Sequence, residues 1–131
     1  MQLSHELPDY AYTLRAADGR SALVNDRTLQ RSFILAPDML VEDWPVAAIA
    51  DLQPEHLEAV LALNPALVIL GTGQTQVFPQ PIVLATCLTR GIGIEVMTNQ
   101  AAARTFNVLA SEGRKVVAAF ILEGPASTPS A

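Results

Sequence analysis

The sequence predicts an α/β fold: a three-layer domain with a central mixed, largely parallel sheet flanked by helices, plus a β-rich amino-terminal segment. Three observations predict it. Residues 10–36 alternate apolar and polar positions between turn signals. Beyond residue 53, helical apolar spacing and short continuous apolar runs take turns, the pattern of strands buried on both faces. The chain has 131 residues, half of them hydrophobic, enough for a single core that removes about two thirds of the unfolded surface from water.

The elements follow in order. Tyr12 and Leu14 alternate with polar neighbours, and Ala17-Asp18-Gly19-Arg20 supplies a hairpin turn. Residues 21–24 return, Asn25-Asp26 turns again, and residues 29–35 form a further strand that Pro37 ends. After Trp44-Pro45, residues 46–50 make a short apolar run suited to a buried strand. Pro54 suits a first helical position, with Glu55 and Glu58 in the early turns and Leu57, Val60 and Leu61 at helical spacing. Pro65 stops that helix, and residues 66–70 read as an interior strand. Pro81 opens a second helix that ends with Arg90 and a C-terminal Gly91. Residues 92–97 form the next strand, 99–112 a third helix capped by Gly113, and 116–122 the last strand. Residues 1–122 thus make one domain without internal repeats, and the Pro, Ser and Ala tail at 123–131 is expected to be disordered.

Charge and composition exclude several function classes. Only 16% of residues are charged, 13 acidic against 8 basic, which argues against a general nucleic-acid binder. One cysteine excludes an internal disulfide framework and a multi-thiolate metal site. No metal and no cofactor is expected. Residues 1–10 carry Glu6 and Asp9 and resemble no targeting signal, and no apolar run approaches a membrane span. A cytoplasmic location is the expectation. Asp38, Glu42, Asp43, Asp51, Glu55 and Glu58 form an acidic block that reads as a solvated face, with docking of a basic partner as its alternative. Residues 59–89 carry no charge and read as the interior strand with its packing partners.

The candidate chemistry gathers at one sheet edge. Gly71, Thr72 and Gly73 follow a buried strand, where a glycine-rich turn can present amides to an anion. The dinucleotide fingerprint fails, because Gln76 stands where its third glycine belongs and Pro79 and Pro81 delay the helix. Thr98 or Asn99 is the natural N-cap of the third helix. Parallel strands ending at Leu70 and Met97 would place both loops at the edge where open α/β sheets bind ligands. Glu95 lies on the opposite strand face from Ile92, Ile94 and Val96, so helices on both faces would partly bury it, with Arg104, Arg114 or helix amides as partners. Cys87 reads as core, His5 and His56 lack ligand-spaced partners, and no hydrolase elbow exists. Asn107, if it faces the sheet, needs a specific partner, the loop beyond Trp44 being one candidate.

The run from Leu67 to Gly73, the run from Gly91 to Thr98, and Ala102, Thr105, Asn107-Val108-Leu109 and Glu112-Gly113-Arg114 form an ordered set. This set resembles the small Mth-type domain family of bacteria and archaea across residues 10–122. The resemblance implies a three-layer domain with a mixed sheet. Mitochondrial relatives, the respiratory complex I assembly factor 3 among them, act through partners, so the resemblance implies a protein partner and provides no catalytic residue. Phe106 stands where relatives often have Tyr, and Thr98-Asn99 where Asp-Thr is frequent. The function expected is therefore non-enzymatic binding or assembly. The alternative is a small anionic ligand, or an enzyme's substrate, held by Gly71, Thr72, Gly73, Glu95, Thr98, Asn99 and Arg104.

Overall fold

The computed structural model describes residues 12–123. The readings of residues 1–10 as free of a targeting signal and of the tail from 124 onward lie outside them. Strands β1 (Leu14–Ala17), β2 (Ala22–Val24) and β3 (Arg27–Leu29) form an antiparallel sheet of their own. The Asp18 carboxylate sets its first turn by accepting the backbone N–H groups of Arg20 and Ser21, each at 2.8 Å. That same pair of bonds holds the carboxyl below its ordinary range.

The larger sheet has the order β5-β4-β8-β6-β7, built from β4 (Phe33–Ala36), β5 (Met39–Val41), β6 (Leu67–Gly71), β7 (Gly93–Met97) and β8 (Val116–Phe120). β6 runs parallel to both β7 and β8, whereas β4 pairs antiparallel with β8 and with β5. The sheet is mixed, as expected. The amino-terminal third both extends it and adds the separate small sheet.

Both faces are buried, and alternation along the strands divides the core in two. Phe33, Leu35, Ile69, Ala118 and Phe120 face α3 (Asn99–Ser111) and the small sheet. Ile34, Ala36, Val68, Leu70, Val117 and Ala119 face the other way, toward α1 (Glu58–Leu61) and α2 (Pro81–Leu88). Phe33 and Phe120 are cross-strand neighbours with stacked rings 4.9 Å apart.

Four local expectations are corrected. The strand at 29–35 is two strands in different sheets, broken where the buried Ser32 hydroxyl accepts the Leu122 N–H at 2.8 Å and donates to the Val46 carbonyl. Pro37 ends β4 but also starts a two-residue turn into β5, which the sequence reading did not include. Residues 46–50 are not a strand. Asp43 takes a positive φ of 59°, and the chain then enters 3-10 turns at Ile49–Asp51 and Pro54–Leu57. Trp44 fixes this stretch by donating its indole N–H to the His56 carbonyl at 3.0 Å, while Val46, Leu52 and Leu57 fill the core beneath. The helix expected from Pro54 is accordingly half 3-10, at Pro54–Leu57, and half α, with α1 a single turn.

Candidate functional site

β6 and β7 are adjacent and parallel, and the chain leaves their carboxyl ends toward opposite faces, into α2 and α3. Such a divergence opens the crevice in which α/β sheets commonly hold ligands. The structure brings Gly71, Thr72, Gly73, Thr98 and Asn99 together at this point. Thr98 is the N-cap of α3, its hydroxyl accepting the Ala101 N–H at 3.2 Å.

Of the amides expected to face an anion, those of Thr72, Gly73, Asn99 and Ala101 are engaged within the chain. The Gly73 N–H donates to Asn99 Oδ1 at 3.1 Å, and the Asn99 N–H donates to the Gly73 carbonyl at 2.8 Å. The Thr72 N–H donates to the Met97 carbonyl at 2.9 Å. Asn99, fully buried, also donates through Nδ2 to the carbonyls of Asp18 at 2.9 Å and Ile121 at 3.0 Å. One amide side chain therefore fills the crevice and ties the small sheet, the β8 end and the turn after β6 to α3. Gly71 is required beneath it, because a Cβ there would run into Asn99 Oδ1 and come within 3.1 Å of the Phe120 ring.

Glu95 and Arg104 are not part of this arrangement. β7 is an edge strand, and Glu95 is exposed on it rather than partly buried. The expected partner is unnecessary because the carboxylate keeps its water. Arg104 is exposed on α3 beside β1 and lines a shallow hollow with Arg15 and Gln100. Asn107 does find a specific partner, though at β1 instead of the loop beyond Trp44. It accepts the Leu14 N–H at 3.0 Å and donates to the Leu14 carbonyl at 2.6 Å. Burial pushes the Cys87 thiol up, against a weaker pull from Arg90, consistent with a core cysteine. Among the described residues no group of three or more His, Cys, Asp or Glu could hold a metal.

The feature that the sequence reading did not single out begins at Thr72. Its hydroxyl donates to the Thr75 carbonyl at 2.7 Å and accepts the Val77 N–H at 3.1 Å. Gln76 donates to the Val96 carbonyl on the open side of β7 at 2.9 Å. This turn holds Val77 and Phe78 outward, 40% and 64% exposed, ahead of α2, on which Ile82 and Leu88 are 60% and 57% exposed. The helix is apolar around nearly its whole circumference, Pro-Ile-Val-Leu-Ala-Thr-Cys-Leu, yet this chain fully buries only Val83 and Cys87 of it. An all-round apolar helix belongs in an interior. That signal was present in the sequence, where the uncharged stretch at 59–89 reads as the interior strand with its packing partners. A separate cleft of about 690 Å³ beside Arg31, Trp44, Asp51 and His56 carries charges of both signs.

Residues 15–121 match the family described as protein of unknown function DUF498/DUF598. A Xanthomonas campestris protein solved by NMR is 62% identical with a TM-score of 0.83, covering 100% of this chain and 99% of its own. A Bordetella pertussis Mth938-like domain is 30% identical with a TM-score of 0.77, covering 95% and 94%. The bovine NADH dehydrogenase [ubiquinone] 1 alpha subcomplex assembly factor 3 is 33% identical over 121 residues, 91% of this chain and 65% of that protein. The chain spans about half to two thirds of the length of the curated relatives it matches. Among the described residues no helix is long and apolar enough to cross a membrane.

Proposed function

The chain belongs to the DUF498/DUF598 family and has the Mth938-like fold, and from that premise we propose that it is an assembly-factor-like protein that holds a protein partner on the exposed face of α2. The observation that carries this reading is the exposure of Phe78, Ile82 and Leu88 on and just ahead of a helix built of apolar residues except for Thr86. Soluble monomers rarely leave a contiguous apolar patch of several hundred Å² uncovered unless something docks there. Similarity to a complex I assembly factor supports the same class of role. A cytoplasmic location and a non-catalytic mode of action belong to this proposal. A small-anion site formed by Gly71, Thr72, Gly73, Thr98 and Asn99 is the weaker reading, since the Thr72, Gly73 and Asn99 amides it would use already donate within the chain.

The test is affinity purification of the tagged chain from its native cells, with the Phe78→Asp/Ile82→Asp double variant beside it. Both substituted residues are largely exposed, so the variant should fold. A protein retained by the wild type and by an Arg104→Ala control, but lost from the double variant, is the expected result. Identical recoveries from wild type and double variant would overturn the reading, and recovery in the membrane fraction would overturn the location.

A further inference from the structure

The exposed face of α2 has an internal symmetry. At 100° per residue, the half-buried Ala85 lies opposite the fully buried Val83 and Cys87, with the exposed Ile82 and Leu88 about 60° to either side of it. Ala85 stands three residues from each of two large aliphatic side chains, so the stripe runs large, small, large in either direction. No Lys, Arg, Asp or Glu occurs between residues 59 and 89, so nothing on the helix or its leading turn repels a second copy of a chain with net charge −5. The open edge of β7 differs in this respect. Glu95 stands exposed at its middle residue, and antiparallel pairing of two such edges centred there would set like charges opposite each other.

Resting on the reading of α2 as a docking face, we propose that this face is self-complementary and that its occupant is a second copy of the chain. The two α2 helices lie antiparallel about a two-fold axis at Ala85. Ile82 of each copy packs against Leu88 of the other, the isologous arrangement of a two-fold dimer. The small Ala85 side chain lets the helix axes approach to about 8 Å. Phe78, upstream of the helix, closes the contact at both ends. The exposed parts of Val77, Phe78, Ile82 and Leu88 amount to roughly 400 Å² per copy, taking side-chain areas of about 150–200 Å². Two such faces total about 800 Å², below the roughly 1,200 Å² at which stable specific interfaces begin and within the range of transient contacts. The dimer is therefore weak and concentration-dependent, and its face can be surrendered to another protein.

Sedimentation of the full chain from about 10 µM to 1 mM tests the proposal, together with disulfide trapping under a mild oxidant. The wild type should pass from monomer to dimer in this range, and Ile82→Asp and Leu88→Asp should each weaken the dimer at least tenfold without altering the circular dichroism spectrum. Ala85→Cys should trap a covalent dimer in which residue 85 is joined to itself, whereas wild-type Cys87, buried, and a Glu95→Cys control should not. A mixture of Ile82→Cys and Leu88→Cys chains should cross-link to each other in preference to themselves. A dimer that persists in both Asp variants would overturn the proposal, as would a chain that is monomeric at 1 mM and not trapped through residue 85. If such a monomeric chain still lost a different protein through Phe78→Asp/Ile82→Asp, the docking reading would stand and only the second copy would fall. If neither association depended on α2, both would fall.

Discussion

Replacing Asn99 measures how much of the fold depends on the side chain that fills the crevice. Its amide makes three hydrogen bonds, from the Gly73 N–H and to the carbonyls of Asp18 and Ile121. Asn99→Ala removes all three and strands the Gly73 N–H and the Ile121 carbonyl, both at buried positions. Lost bonds are worth about 1 kcal/mol each, and an unsatisfied buried group costs about 1–3 kcal/mol, so the loss should be about 3–5 kcal/mol. With a urea dependence of about 1.5 kcal/mol/M for a domain of this size, the unfolding midpoint should fall by about 2–3 M. Asn99→Asp sharpens the test. The introduced carboxylate can still accept from Gly73, but it directs negative charge at two carbonyls in a dry site, which raises its folded pKa above the unfolded value near 3.9. The variant should therefore lie closest to the wild type below about pH 4 and lose ground as pH rises through the raised value. A loss under 1 kcal/mol for Asn99→Ala, or a pH-independent gap for Asn99→Asp, would refute the reasoning.

Three further outcomes are expected. Asn107→Ala should cost about 1–2 kcal/mol by releasing the Leu14 backbone, and native-state hydrogen exchange should show β1 opening before the large sheet. Cys87, buried and with its thiol pushed up, should react with a thiol reagent at pH 8 only as fast as the chain opens, so labelling should accelerate in parallel with denaturant-induced unfolding. Asp18 is depressed by the backbone N–H groups of Arg20 and Ser21. Its contribution is thus complete above the unfolded pKa near 3.9 and is lost as pH falls through the folded value. The stability difference between wild type and Asp18→Ala should shrink on acidification.

Local chemistry made the elements of the second half legible. Pro81, Gly91 and Gly113 punctuate α2 and α3 where expected, with Gly91 and Gly113 at positive φ. Short apolar runs revealed β6 and β8 because strands buried on both faces need no polar alternation. What escaped depends on contacts between distant residues. Asn99 looks like a capping residue from its neighbours alone, but it donates to Asp18, 81 positions away. Glu95 seemed enclosed because strand order is not written in a strand's own residues, and only the position of β7 at the edge exposes it. Residues 46–50 have the composition of a strand, yet the positive φ at Asp43 and the Trp44 bond to His56 turn the chain away. α2 misled in the opposite sense, since its sequence describes an interior helix and the chain covers only half of it.

The crevice and the apolar face are connected through Thr72. Asn99 fixes Gly73 from one side, while the Thr72 hydroxyl spans the following turn and sets the direction in which Val77 and Phe78 leave. Under the proposed docking function, the residues at the sheet edge set the position of the docking surface. Thr72→Val isolates the effect, because it keeps the shape of the side chain and removes only the hydroxyl. The stability cost should stay near 1–2 kcal/mol, for one donated and one accepted bond. Backbone amide exchange at Val77 should accelerate by about tenfold, while Gly73, held independently by Asn99, should exchange as in the wild type. Dimerisation and partner retention should weaken together, with Ile82 and Leu88 untouched. Unchanged exchange at Val77 would mean that the proline-bounded turn holds itself, and the link between crevice and surface would be lost.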